Sequence, residues 1–151
     1  MKKILFVCTG NTCRSSMAEA IFNNMAQEKG NSDMKATSAG IEAIDGMPAN
    51  DKAIDTLKAR GIDMSAHKSR KIRNAHIEES DIILTMTRIH KIQLQAAFPK
   101  AHGKVFTLLE YANDNSKLDI ADPYGQSPEV YERCANELEK AIKSVTRGRG
   151  C

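Results

Sequence analysis

Short β-branched apolar runs alternate with longer segments of helical period along the chain, and this alternation constrains the fold more than any other feature. Strands read over 3–7, 34–38, 81–86 and 104–108, and helices over about 15–28, 51–60 and 90–98 and from Ser127 onward. In the first helix Met17, Ile21, Phe22 and Met25 fall at helical spacing, and Gly30 supplies a stop. Ala53, Ile54 and Leu57 share a face of the second, and Pro99 cuts the third. Ser127 and Pro128 open the last as N-cap and first helical residue, ahead of Val130, Cys134, Leu138 and Ile142 at fourfold spacing. Strands joined through helices pair in parallel, so the expected fold is a single-domain α/β protein: a four-stranded parallel sheet flanked by helices. Such sheets bind ligands beyond the carboxyl ends of their strands.

Composition agrees with one core. The 151 residues are 41% hydrophobic and 27% charged, which excludes a collagen, a disordered acidic tail and a small disulfide scaffold. With no Trp, three Tyr and four Phe, the interior must be built from Ile, Leu, Val, Ala and Met. Lys2 and Lys3 ahead of Ile4-Leu5-Phe6-Val7-Cys8 imitate the start of a signal peptide, but the apolar stretch is shorter than the roughly 7–15 residues such a segment needs. No run approaches the ~20 apolar residues of a membrane-spanning helix. Cys8, Cys13, Cys134 and Cys151 are irregularly spaced and lack a CxxC or clustered histidines, so neither a disulfide framework nor a metal site is expected. The expectation is a cytoplasmic protein without metal or other cofactor.

The first strand runs into Cys8-Thr9-Gly10-Asn11-Thr12-Cys13-Arg14-Ser15, where a helix begins. A loop between a strand end and a helix start curls its N–H groups around an anion, and the helix dipole favours negative charge there. Gly10 and Asn11 are residue types that tolerate the tight or left-handed backbone this requires. The same field favours the thiolate of Cys8, the reactive form of cysteine. The planar fork of Arg14 can hold two oxygens of a phosphoryl group. A thiolate beneath a bound phosphate dianion is a phosphoryl-transfer nucleophile. The second motif, Asp122-Pro123-Tyr124-Gly125, precedes the last helix. Alone it is a turn; with the cysteine loop it offers Asp122 as a general acid held rigid by Pro123.

Together these residues resemble the low-molecular-weight protein tyrosine phosphatase family, from Val7-Cys8 through Ser38-Ala39-Gly40 and Asp81-Ile82-Ile83-Leu84-Thr85-Met86 to Asp122-Pro123. The resemblance implies a flavodoxin-like sheet, with a catalytic domain over 1–146 and a short basic tail over 147–151. It implies a metal-free, two-step mechanism in which Cys8 attacks phosphorus and Arg14 stabilises the transition state with the loop N–H groups. Asp122 then protonates the leaving group and activates water against the phosphocysteine. Thr9, Gly10, Asn11, Thr12, Cys13, Arg14 and Ser15 would bind the phosphate, with Ser38 and His67 supporting the loop. Cys13 matches a second loop cysteine able to form a reversible disulfide with Cys8. Ser16 stands where the family often has proline, and Tyr124 is the single aromatic where eukaryotic members have two.

Phosphotyrosine, the wider family activity, is the first expectation for the substrate. Thr12 and the stretch from Phe106 to Tyr111 resemble the bacterial branch that acts on protein phosphoarginine, which is the alternative. Thr12 and Tyr124 are therefore the candidate specificity residues. Arsenate reductases share the loop but need a cysteine pair in the segment 81–91, which has none; Cys134 reads as a core residue. The run from His67 to Arg73, with Arg147 and Arg149, is basic, yet it has no interleaved aromatic and the net charge is only +3. It reads as a solvated face that attracts substrate rather than a nucleic-acid site. His76, His90 and His102 have no spacing that marks a site. The partners expected are phosphorylated proteins, with no nucleic acid and no membrane, and the chain is expected to be a monomer.

Overall fold

In the computed structural model of the chain, which describes residues 2–30, 33–114, 117 and 119–148, Ile4 to Cys8 are all buried. That apolar run is β1, Lys2–Cys8, and burial on both faces puts it inside the sheet. The strand order is β2-β1-β3-β4, with β2 at Met34–Gly40, β3 at Ile82–Thr85 and β4 at Val105–Thr107. All three pairings are parallel. Because side chains alternate along β1, Ile4, Phe6 and Cys8 pack into one hydrophobic cluster while Leu5 and Val7 enter the other.

The larger cluster lies under α1, Arg14–Glu28, and α6, Pro128–Gly148; it includes Met17, Phe22, Tyr131 and Leu138. On the opposite face Ile77 and Leu94 come from α3, Asn74–Glu79, and α4, Arg88–Ala97. The remaining α-helices among the described residues are α2, Asp51–Lys58, and α5, Leu108–Tyr111, and a 3-10 turn spans Pro99–Ala101. The chain leaves β1 for β2 on one side and later returns to place β3 on the other. The carboxyl end of β1 is thus the topological switch point, where a crevice opens.

One strand end is corrected, and two short helices are added to the expected elements. The fourth strand ends at Thr107 rather than Leu108, because the Thr107 hydroxyl accepts the Glu110 N–H at 3.0 Å and the Glu110 carboxylate accepts the Thr107 N–H at 2.8 Å. That reciprocal cap starts α5 at once. Neither α5 nor α3 carries enough turns to show a period in the sequence. Elsewhere the boundaries move by a residue or two, as element ends do.

Candidate active site

The loop after β1 is built from the outside. Its carbonyls are taken by surrounding structure: Cys8 by the Ile41 N–H, Thr9 by Glu42, Thr12 by Asn50, each at 2.9 Å. The Asn11 carbonyl meets His67 Nε2 at 2.7 Å, and Cys13 accepts from Met17 N–H and Ser16 Oγ. In a trans peptide the next N–H points opposite to the carbonyl, so these anchors leave successive N–H groups on the concave side. That cradle opens straight onto the N-terminus of α1.

Asn11 holds the turn. Its φ of 60° is left-handed, a region asparagine tolerates. Its side-chain amide donates to Ser15 Oγ at 2.9 Å and Ser38 Oγ at 2.8 Å, and its amide oxygen accepts the Arg70 N–H at 2.9 Å. Ser38 in turn donates to Glu19 at 2.6 Å. Gly40 is required for a different reason: a Cβ there would stand 2.5 Å from the Thr9 carbonyl and 3.0 Å from the Asn11 nitrogen. No side chain fits between the end of β2 and the loop.

The cradle closes around sulfur. Cys8 Sγ lies 2.8 Å from Ser15 Oγ and receives the Asn11 N–H at 3.3 Å. Arg14 is buried, donates to the Ile120 carbonyl at 2.9 Å and stands 3.6 Å from the Asp122 carboxylate. Asp122 itself faces solvent, and its carboxylate accepts the Tyr124 N–H at 3.0 Å, fixing the turn over buried Pro123. Residues Cys8 to Arg14 with Asp122 and Tyr124 line a cavity of about 220 Å³. A larger groove of about 530 Å³ behind α1 has neither a cysteine nor an arginine in its wall.

All the residues singled out in the loop, with Ser38, His67, Asp122 and Tyr124, therefore meet at one place. Cys13 faces inward to Tyr131, 3.5 Å from its hydroxyl, and burial raises its thiol above the usual range. Cys134 is a core residue whose thiol burial pushes up to about 12. Cys151 and Arg149 lie outside the described residues, as does the side chain of Arg147.

The basic run is not simply a solvated face. Ser69 and Ile72 are buried, Arg70 donates to the Ser38 carbonyl at 3.0 and 3.2 Å, and Arg73 pairs with Asp45 at 2.6 Å. Lys68, Lys71 and Arg73 remain exposed, so of the four cations Arg70 alone turns back to fasten β2 behind the site. His90 was also not legible: its Nε2 lies 2.8 Å from Thr9 Oγ1, yet no sequence spacing links the two. Burial, then the charge of Arg14, holds its imidazole down to about 4. No group of three or more acidic, histidine or cysteine side chains placed to hold a metal occurs among the described residues.

The family model for low molecular weight phosphotyrosine protein phosphatases matches residues 3–147. A protein-arginine-phosphatase of Geobacillus stearothermophilus is 42% identical over 140 residues, which cover 93% of this chain and 90% of that protein. The crystal structure of a low molecular weight protein tyrosine phosphatase from T. tengcongensis superposes with a TM-score of 0.93 at 40% identity, covering 98% of this chain and 99% of the other. The structure of the YwlE arginine phosphatase, as a cysteine-to-serine mutant with a phosphorylated active-site serine, gives a TM-score of 0.92 at 35% identity over 97% and 94%. Matched nearly end to end in sequence and in backbone, this chain belongs to the low molecular weight phosphotyrosine protein phosphatase family, whose members are hydrolases.

Proposed function

We propose that the chain is a cytoplasmic, monomeric protein phosphatase that hydrolyses phosphoarginine in proteins through a phosphocysteine intermediate. Residues 1–146 would carry the catalysis, and the sequence over 147–151 beyond them is basic. The Cys8 thiolate attacks phosphorus while the P–N bond breaks, and Asp122 delivers a proton to the departing guanidine nitrogen. Arg14 and the loop N–H groups hold the equatorial oxygens as charge builds. Water then attacks phosphorus, Asp122 takes its proton, and the S–P bond breaks to release phosphate and thiolate. If peroxide reaches the thiolate first, the Cys8 sulfenic acid condenses with the Cys13 thiol, losing water, and a thiol reductant restores both.

Thr12 carries the choice of substrate. It forms part of the cavity wall, and its hydroxyl offers an acceptor for a guanidinium N–H where an isoleucine would press apolar surface against it. The full-length similarity to a protein named for arginine phosphatase activity supports the same reading. Phosphotyrosine is the second reading, favoured by the exposed ring of Tyr124 at the cavity edge, which can flank an aryl group. The test is kcat/KM on matched phosphoarginine and phosphotyrosine peptides, with Cys8→Ser as the blank. Preference for phosphoarginine, reduced about tenfold by Thr12→Ile, is the expected result. Preference for phosphotyrosine that Thr12→Ile leaves untouched would establish the second reading, and silence on both would overturn each.

A further inference from the structure

We propose that His90 is a positioning residue for the phosphatase reaction: from the first turn of α4 it fixes Thr9, and with it the N–H groups that open the phosphate cradle. The inference rests on the loop being the phosphate site. Thr9 follows the nucleophile directly, and its carbonyl is held by the Glu42 N–H at 2.9 Å, as that of Cys8 is held by Ile41. Both anchors come from the β2 side. The 2.8 Å bond between Thr9 Oγ1 and His90 Nε2 pulls the other way, towards β3 and α4. Among the described residues it is the only hydrogen bond from the first three loop residues across the switch point to α4. Held from both sides, the peptide planes around Thr9 cannot rotate their N–H groups out of the cradle.

The setting of His90 argues against mere packing. The residue is 5% exposed, and among the described residues its buried Nδ1 has no hydrogen-bond partner. An orphaned buried nitrogen destabilises a fold, and an apolar side chain would fill the same place without that cost. The ring also contributes no charge. Burial and then the Arg14 charge favour the neutral ring and outweigh the opposing charges of Asp119 and Asp122, so it is neutral at the pH where a phosphoryl group is a dianion. A cation at this position would compete with Arg14 for phosphate oxygens. Thr87 completes the device: its hydroxyl accepts the His90 N–H at 3.1 Å and caps α4, which sets the direction of the ring.

The experiment uses the full chain with p-nitrophenyl phosphate as substrate, inorganic phosphate as competitive inhibitor, and a thermal melt for each variant. His90→Leu and Thr9→Val are each expected to lower kcat/KM by about tenfold and to weaken phosphate inhibition, the scale of one hydrogen bond. The double variant should be no worse than either single one, because both remove the same bond. His90→Gln, which can reach Thr9 with a neutral amide, should recover most of the loss. Wild-type kcat/KM and phosphate inhibition in a folded His90→Leu protein would overturn the proposal, as would losses that multiply or a glutamine that rescues nothing. Should His90→Leu fail to fold, the exposed Thr9→Val decides: normal phosphate inhibition there overturns it. A wild-type protein that neither turns over the ester nor binds phosphate would strike the phosphatase reading itself, and this proposal with it.

Discussion

Ser15 Oγ accepts from Asn11 and lies 2.8 Å from the Cys8 sulfur, so its single hydroxyl proton is the one a Cys8 thiolate would accept. The proposed nucleophile thus sits beside a hydroxyl that Asn11 holds in place. Cys8→Ser should lose turnover entirely while retaining phosphate binding, measured by calorimetry, because the cradle N–H groups do not depend on sulfur and an alcohol is a poor nucleophile at neutral pH. Loss of phosphate binding as well would mean that the thiol shapes the loop. Asp122, 3.6 Å from Arg14 at the cavity wall, is the general acid in the proposed reaction. Asp122→Ala should slow substrates with poor leaving groups by about 10²–10⁴-fold and those with good ones far less. An equal loss on both would remove the general-acid role. Cys8, Arg14 and Asp122 were legible because their residue types and local motifs announce a chemistry; the bond from His90 to Thr9 joins residues 81 positions apart and announces nothing.

At the scale of elements, the site is the seam where β1 stops, α1 starts and the end of β2 presses against both. Gly40 makes that contact possible, so Gly40→Ala is expected to cost about 1–3 kcal/mol of stability and to weaken phosphate binding together. A denaturant midpoint and a phosphate inhibition constant both unchanged would refute the close approach. The long helices were readable from periodicity because each turn repeats the signal. The caps of α3 and α5 were not, since six and four residues offer no repeat and their starts depend on local hydrogen bonds. The basic run shows the same limit. Its charges are visible in sequence, but whether Arg70 meets water or the Ser38 carbonyl depends on where β2 lies.

For the whole molecule, the sheet order brings the first turn of α4 against the loop that follows β1, and it buries an imidazole there. This has a consequence for stability. Burial, with the Arg14 charge, lowers the His90 value from 6.5 to about 4, so between those limits the unfolded chain binds a proton that the folded one refuses. Stability should therefore be full above about pH 6.5 and fall as the pH drops towards 4, by about 3 kcal/mol from this group. Urea unfolding across that range tests it, with His90→Gln predicted to flatten the profile. A wild-type profile as flat as that of the variant would show the ring to be no such group.

The sequence by itself determined the alternation of strands and helices, the cysteine loop with its arginine, and the aspartate before proline. Each is written in adjacent residues, through side-chain period, backbone tolerance and local chemistry. It also determined that β1 would be interior, because Ile4 to Cys8 are apolar on both faces. Only the tertiary structure decided what surrounds the loop. Arg14 meets Asp122, His67 meets Asn11, Arg70 meets Ser38 and His90 meets Thr9 across long stretches of chain. Those encounters follow from which side of β1 each later strand joins. The hydrophobic pattern of a strand reports that it is buried, but the packing of the completed sheet selects its neighbour.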